Sequence, residues 1–226
     1  MIPKIIHYCW FGGNPLPPLA QKCIKSWKKY CPDFEIVRWD EKNFDVNCCT
    51  YAAEMYAQKK WAFLTDYVRL KVVYENGGIY MDTDVELIKP LEKLLENVAF
   101  MGLETTYYIS TGLGFAAEKH HWFVGENMKY YEEWDHSHPI EVCPVITTRL
   151  LEPYGIDCNS KEVQKYKDLT IYPVEYFCAK HTHTGQIHIT ANTYSIHHFD
   201  GSWNTQEERK KTRARWRKYR MKSIKN

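Results

Sequence analysis

TDYVRLKVVYENGGIYMDTDVEL, residues 65–87, carries a helix, its stop signal and a strand in one run. From Trp61 onward, Phe63, Leu64, Val68, Val72 and Val73 recur at helical spacing along one side. Asn76-Gly77-Gly78 then supplies the residues that end a helix in the left-handed conformation. Ile79-Tyr80-Met81 follows as a short strand leading into Asp82-Thr83-Asp84. In extended backbone, residues two apart face the same way, so the carboxylates of Asp82 and Asp84 converge. Paired carboxylates repel, and a divalent cation relieves the repulsion. Taken alone, such a triplet reads more simply as acids on a solvated loop. The preceding helix changes that reading. Trp61, Tyr67 and Leu70 make it apolar nearly all round, so it is buried. Asp66 and Arg69 lie three apart on one of its faces. A surface pair of this kind contributes little, but burying one requires partners or a purpose.

Upstream, Lys4–Trp10 is an apolar run broken by Gly12-Gly13 and Pro15, which predicts a buried strand and a loop. Pro17 and Pro18 start a helix that reaches Tyr30, with Leu19, Cys23, Ile24 and Trp27 at helical spacing. Phe34–Trp39 is the second strand, and strand–helix–strand at the start predicts a parallel α/β beginning. Tyr51–Gln58 reads as a helix, and Pro90 opens a short one. Farther on, Val98–Leu103, Tyr107–Ile109, Leu113–Ala117, Leu169–Val174 and Tyr194–Phe199 read as strands. His120–Tyr131, Val145–Leu151 and Thr205–Tyr219 read as helices. With no internal repeat and no Gly/Ser linker, the expected organisation is one domain over 1–206 and a basic tail over 207–226.

The chain has 226 residues, 44% apolar and 26% charged, a globular composition that excludes disordered and collagen-like classes. Its net charge of +2 conceals an asymmetry. Residues 207–226 hold ten Lys/Arg against two Glu, leaving twenty basic against twenty-six acidic residues in the body. A basic tail with Trp216, Tyr219, Met221 and Ile224 interleaved suits an anionic membrane surface, with nucleic acid as the alternative and a solvated helix end as the plain reading. Because it lies outside the motifs, the tail is assigned to location rather than chemistry. No apolar run approaches the roughly 18 residues of a transmembrane helix, and the N-terminus lacks signal-peptide features, so cytoplasmic synthesis is expected. Eight cysteines without a C-x-x-C pair predict reduced thiols packed as small hydrophobes, Cys48-Cys49 among them, and no zinc ribbon. His181, His183 and His188 read as strand alternation into a polar loop rather than a zinc site.

The run Asp66-x-x-Arg69…Gly77-Gly78-x-Tyr80-x-Asp82-x-Asp84 resembles the DXD-containing glycosyltransferases of family 32. That group includes capsule and lipopolysaccharide sugar transferases and initiating mannosyltransferases; the glucosylating domains of clostridial toxins are more distantly similar. Two further elements share the resemblance: the opening IPKIIHYCWFG, residues 2–12, and the late YSIHHFDGSW, residues 194–203. The resemblance implies a GT-A-like α/β fold with a mixed, mainly parallel central sheet that binds a nucleotide-sugar through Mn²⁺ or Mg²⁺. It implies Asp84 as a direct metal ligand, Asp82 as holding the metal, or the ribose, from the other side, and His198, with His197 as the other choice, as a further ligand. Asp66 and Arg69 would meet the donor's hydroxyls and phosphate, Trp10 and Tyr80 would serve the donor site, and Ser202 and Trp203 would touch the β-phosphate. Ser110–Phe115 would approach the donor sugar. A UDP-hexose is the first choice of donor and GDP-mannose the second, with a polysaccharide or lipid-linked oligosaccharide as acceptor. The family retains anomeric configuration, and no second carboxylate is evidently placed as a nucleophile, so front-face displacement is expected. Relatives often carry a Thr-Gly-Pro triplet where this chain reads Glu141–Thr148, which leaves the acceptor open. The competing classes are a non-catalytic membrane or nucleic-acid adaptor and a nucleotide-sugar hydrolase or phosphotransferase.

Overall fold

The structure, a computed structural model, describes residues 1–104, 107–137, 139–202 and 206–223. The elements run β1 (Ile5–Cys9), α1 (Pro18–Tyr30), β2 (Glu35–Trp39), α2 (Thr50–Ala57), α3 (Trp61–Asn76), β3 (Gly78–Tyr80) and β4 (Val85–Leu87). They continue with β5 (Ala99–Leu103), β6 (Ile109–Ser110), β7 (Phe115–Ala117), α4 (Trp122–Glu132), α5 (Cys143–Leu151), β8 (Gln164–Tyr166), β9 (Leu169–Tyr172), α6 (Val174–Phe177), β10 (Ser195–His197) and α7 (Gln206–Ser223). Among the described residues the main sheet has the order β2-β1-β3-β7-β5-β9-β8, with β6 on the end of β5. It is mixed: β2-β1-β3 and β5-β9 are parallel, while β7 runs antiparallel between β3 and β5. The ends of β1, β2 and β3 therefore open on one edge, where ligands bind in such sheets. β4 and β10 form a separate antiparallel ladder beside that edge.

Alternation along the strands sorts side chains to the two faces. Ile6, Tyr8, Ile79 and Met81 pack with Trp27 of α1 in one apolar cluster, while Cys9 and Tyr80 join Leu64, Tyr67 and Val68 of α3 in the other. Tyr80 thus lies on the α3 side, and the chain leaves β3 with Asp82 on that side too. The turn between α3 and β3 demands its glycines. Gly77 and Gly78 have φ of 68° and 100°, and a Cβ on Gly78 would stand 2.9 Å from the Ile5 carbonyl oxygen. That turn brings the end of α3 down against β1 and starts β3 parallel to it.

Several expectations need correction. Asp82 and Asp84 are not in extended backbone: Val85 N–H closes a turn on the Asp82 carbonyl at 3.0 Å, and the turn aims the carboxylates. β6 shrinks to two residues, and β8, charged and at the sheet edge, gave no period-two signal. The helix expected from His120 starts at Trp122, because His120 has φ of 58°. Cys48 is exposed rather than packed, since the pair precedes the first turn of α2 at the surface; none of the eight cysteines forms a disulfide. The tail helix contacts Asp200 and Thr182 of the body, as described below. No helix among the described residues is long and apolar enough to cross a membrane.

Candidate active site

Asp82, Asp84 and His197 bring one ligand atom each within 4.8 Å of one another. The β4–β10 ladder makes this meeting, pairing His197 with Val85 while the His198 N–H donates to the Asp84 carbonyl at 2.9 Å. His197 Nε2 lies 3.1 Å from Asp84 Oδ1, and the Asp200 backbone N–H donates to Asp84 Oδ2 at 2.8 Å. Burial opposes charge on Asp84, but His197 and the Asp200 N–H outweigh it and bring the carboxyl down to about 2. Burial likewise opposes charge on His197, and the Asp84 carboxylate overcomes it, raising the imidazole above its usual range. His197 Nε2 and Asp84 Oδ1 thus face each other across 3.1 Å.

His198 points elsewhere. Its Nε2 meets Glu86 Oε2 at 2.8 Å, and Lys22 meets the same oxygen at 2.7 Å. The structure therefore puts His197, not the expected His198, beside the two aspartates, because neighbours on a strand face opposite ways.

Asp82 is held from behind. Tyr80 Oη donates to Asp82 Oδ1 at 3.0 Å, and Arg69 Nη2 stands 3.2 Å from the same oxygen. The guanidinium also bridges to Asp66 Oδ1 at 3.1 Å, donates through Nε to the Thr65 carbonyl, and lies over the Tyr80 ring. Asp66 and Arg69 are 6% and 4% exposed, so this is a buried arginine between two carboxylates. Burial pushes the Asp66 carboxyl up to about 6, against the pull of Arg69 and of the Cys143 N–H that donates to Asp66 Oδ2. Gly112 completes the floor: a Cβ there would stand 2.3 Å from Asp82 Oδ2, and its carbonyl accepts the Asp82 N–H.

The other expected site residues are more scattered. Tyr80 is buried and serves Asp82 rather than an open surface. Trp10 is half-buried at the end of β1, and its Nε1–H donates to the Asn14 carbonyl at 2.6 Å. Ser202 is exposed at the end of the loop that follows β10. Trp203 lies outside the described residues.

A family model described as a glycosyltransferase sugar-binding region containing the DXD motif matches residues 17–101. That stretch of the chain is similar to the DXD-containing glycosyltransferases, as its motifs are. The family-32 resemblance of its motifs is thereby borne out. Over 122 residues it is 30% identical to a human alpha-1,4-N-acetylglucosaminyltransferase, covering 53% of this chain and 34% of that protein. Over 120 residues it is 33% identical to inositol phosphoceramide mannosyltransferase 3 of Schizosaccharomyces pombe, covering 51% and 33%. The matched region thus spans about a third of the length of these relatives. The solved PaToxG glycosyltransferase superposes with a TM-score of 0.51 at 17% identity, covering 68% of this chain and 69% of that one. That likeness is one of fold, the GT-A arrangement expected from the motifs.

Within a family named for its DXD motif, the donor set here suits a divalent cation. Two carboxylate oxygens and an imidazole nitrogen match Mn²⁺ or Mg²⁺. His197 Nδ1 is buried without a hydrogen-bond partner among the described residues. Sequence reasoning missed Thr111, Gly112, Cys143 and Asp200 as individual contributors. Period-two alternation separated His197 from His198 but could not say which one faced the acids.

Proposed function

We propose that the chain is a retaining, metal-dependent hexosyltransferase that moves a sugar from a nucleotide-sugar to a polysaccharide or lipid-linked oligosaccharide. The convergence of Asp82, Asp84 and His197 against a buried Arg69 carries the reading. Asp82, Asp84 and His197 would hold Mn²⁺ or Mg²⁺, which when bound neutralises negative charge on the leaving diphosphate. Arg69 and Tyr80 fix Asp82 in place, and Asp66 anchors Arg69. Such positioning lowers a barrier because the dipoles and charges need no rearrangement during the reaction. Trp10 would lie against the base, Ser202 and Trp203 near the β-phosphate, and Asp66 toward the donor's hydroxyls. The acceptor hydroxyl attacks the anomeric carbon on the face that the diphosphate leaves, its proton departing with the diphosphate, so configuration is kept.

UDP-hexose is the first choice of donor and GDP-mannose the second. The relatives bear the names of N-acetylglucosaminyl-, mannosyl- and galactosyltransferases, and two of those names carry a ceramide acceptor. A lipid-linked acceptor agrees with the basic tail, which we assign to an anionic membrane surface on the cytoplasmic side.

The test is a thermal-shift panel of UDP- and GDP-sugars with Mn²⁺, followed by transfer and NMR of the product's anomeric proton. One donor should raise the melting temperature by mass action. Asp82→Asn with Asp84→Asn should abolish both that shift and transfer. Retained anomeric configuration is expected. A flat panel overturns the reading, an inverted product overturns the front-face mechanism, and turnover that needs no acceptor favours a hydrolase.

A further inference from the structure

We propose that Arg209 and Arg213 of the tail helix are positioning residues for the cation site, acting through Asp200 on Asp84. The proposal rests on the cation site inferred above. Arg209, Arg213 and Trp216 fall at i, i+4 and i+7, one face of α7, and that face is the docked one. Arg209 reaches Asp200 Oδ2 at 2.5 Å, and Arg213 reaches Asp200 Oδ1 at 3.2 Å, so both oxygens of one carboxylate are held by the tail. Farther along, Trp216 Nε1–H donates to the Thr182 carbonyl at 2.8 Å and its indole fills the space over Gly185, where a Cβ would stand 2.5 Å from the ring. Lys180 ties the two regions, with Nζ 3.7 Å from the Trp216 ring centroid and donating to the His198 carbonyl at 2.6 Å.

What the arginines hold matters because of the backbone of Asp200. Its N–H is the donor to Asp84 Oδ2, at 2.8 Å. The loop that presents it has left-handed backbone on both sides, φ of 52° at Phe199 and 57° at Gly201. Phe199 is a bulky residue in a conformation that costs energy unless its surroundings enforce it. Its ring also packs on His197, with centroids 4.1 Å apart. One short loop therefore touches two of the three cation ligands. Asp200 would itself add to the repulsion around Asp82 and Asp84 were its charge not matched by the arginines. With them in place, its carboxylate turns to the tail and its N–H to the site.

Mn²⁺ affinity is the direct readout, measured by the EPR signal of free Mn²⁺ on the full chain, alongside the melting temperature without metal. Arg209→Gln with Arg213→Gln should weaken Mn²⁺ binding about tenfold, the scale of one charge-assisted hydrogen bond. The metal-free melting temperature should move by no more than about 3 °C. Arg209→Lys with Arg213→Lys, which keeps the charges, should restore most of the affinity. Asp200→Asn should weaken binding similarly, and adding it to the glutamine pair should cost little more, because all three act on one contact. Unchanged or tighter Mn²⁺ binding in the glutamine pair, or additive losses with Asp200→Asn, overturns the proposal and leaves the proposed function standing. If the glutamine pair fails to fold, Asp200→Asn alone decides, with unweakened binding overturning the proposal. A native chain that binds no Mn²⁺ overturns both.

Discussion

His7 shows how closely a single side chain can be specified. Its Nε2 lies 2.8 Å from the Gly77 carbonyl oxygen, and its Nδ1 lies 3.0 Å from the Trp39 indole nitrogen. The indole can only donate, so Nδ1 accepts and Nε2 carries the proton. A second proton would set two N–H groups against each other. Burial holds the His7 pKa below its ordinary 6.5, with the Gly77 carbonyl pulling the other way. Below pH 6.5 the unfolded chain therefore takes up a proton that the native ring refuses, and stability falls with pH until the native pKa is reached. The contribution approaches 1.4 kcal/mol per pH unit within that window. His7→Gln should be less stable at pH 7 by about 1–3 kcal/mol, yet lose less stability between pH 7 and pH 5, as read by urea melts. An unchanged pH slope would refute this. The sequence offered His7 only as a residue in a buried strand; its partners come from the Gly77 turn and from the end of β2, which no local pattern reveals. The same limit applies to Asp66 and Arg69, whose shared face was legible while the bridge to Asp82 was not.

At the scale of elements, the first hundred residues were legible because apolar runs are long and punctuated by proline and glycine. The helix over Trp61–Asn76, its Gly-Gly stop and the strand into the acids all appear as the spacing predicted. Beyond β5 the strands are short and pair with distant partners, so burial decides them and local periodicity does not. The loop from Ser110 to Leu113 belongs to this second kind. Small residues there suggested a close approach, and the structure identifies what is approached: the Asp82 carboxylate, 2.3 Å from a Cβ on Gly112, with Arg69 Nη1 at 3.2 Å. Gly112→Ala should therefore push the carboxylate off its Arg69 and Tyr80 contacts. The expected result is at least a hundredfold loss of Mn²⁺-dependent turnover with a stability loss of only about 1–3 kcal/mol, the usual cost of a small overpacking. Comparable activity in Gly112→Ala would mean that Asp82 can move without consequence.

Across the whole molecule, the charge asymmetry visible in composition acquires a direction. One face of the tail helix docks on Asp200 and Thr182, while Lys210, Lys211 and Arg217 remain exposed to solvent. That outer face can meet an anionic bilayer without disturbing the docked one. Vesicles rich in phosphatidylserine should co-sediment the chain at low salt, and binding should fall steeply near 0.5 M salt as the Debye length shrinks to a few ångströms. Lys210→Glu with Lys211→Glu and Arg217→Glu should abolish co-sedimentation and keep Mn²⁺ affinity. Equal vesicle binding by this variant would remove the membrane assignment. The composition announced that the tail was distinct; it could not announce that its inner face was part of the body.

The contact between Asp84 and Asp200 bridges 116 positions of sequence, and that separation has a kinetic meaning. The buried Arg69 bridge joins residues 66, 69 and 82, which lie close together in the sequence. His197, Asp200 and the arginines that contact it lie far downstream, and their distant loop must close against entropy before the cluster is complete. The cluster proposed to hold a cation thus depends on a long-range closure. Before that closure the two acids have no histidine beside them, so Mn²⁺ binding, on the function proposed above, would report that the distant loop has closed.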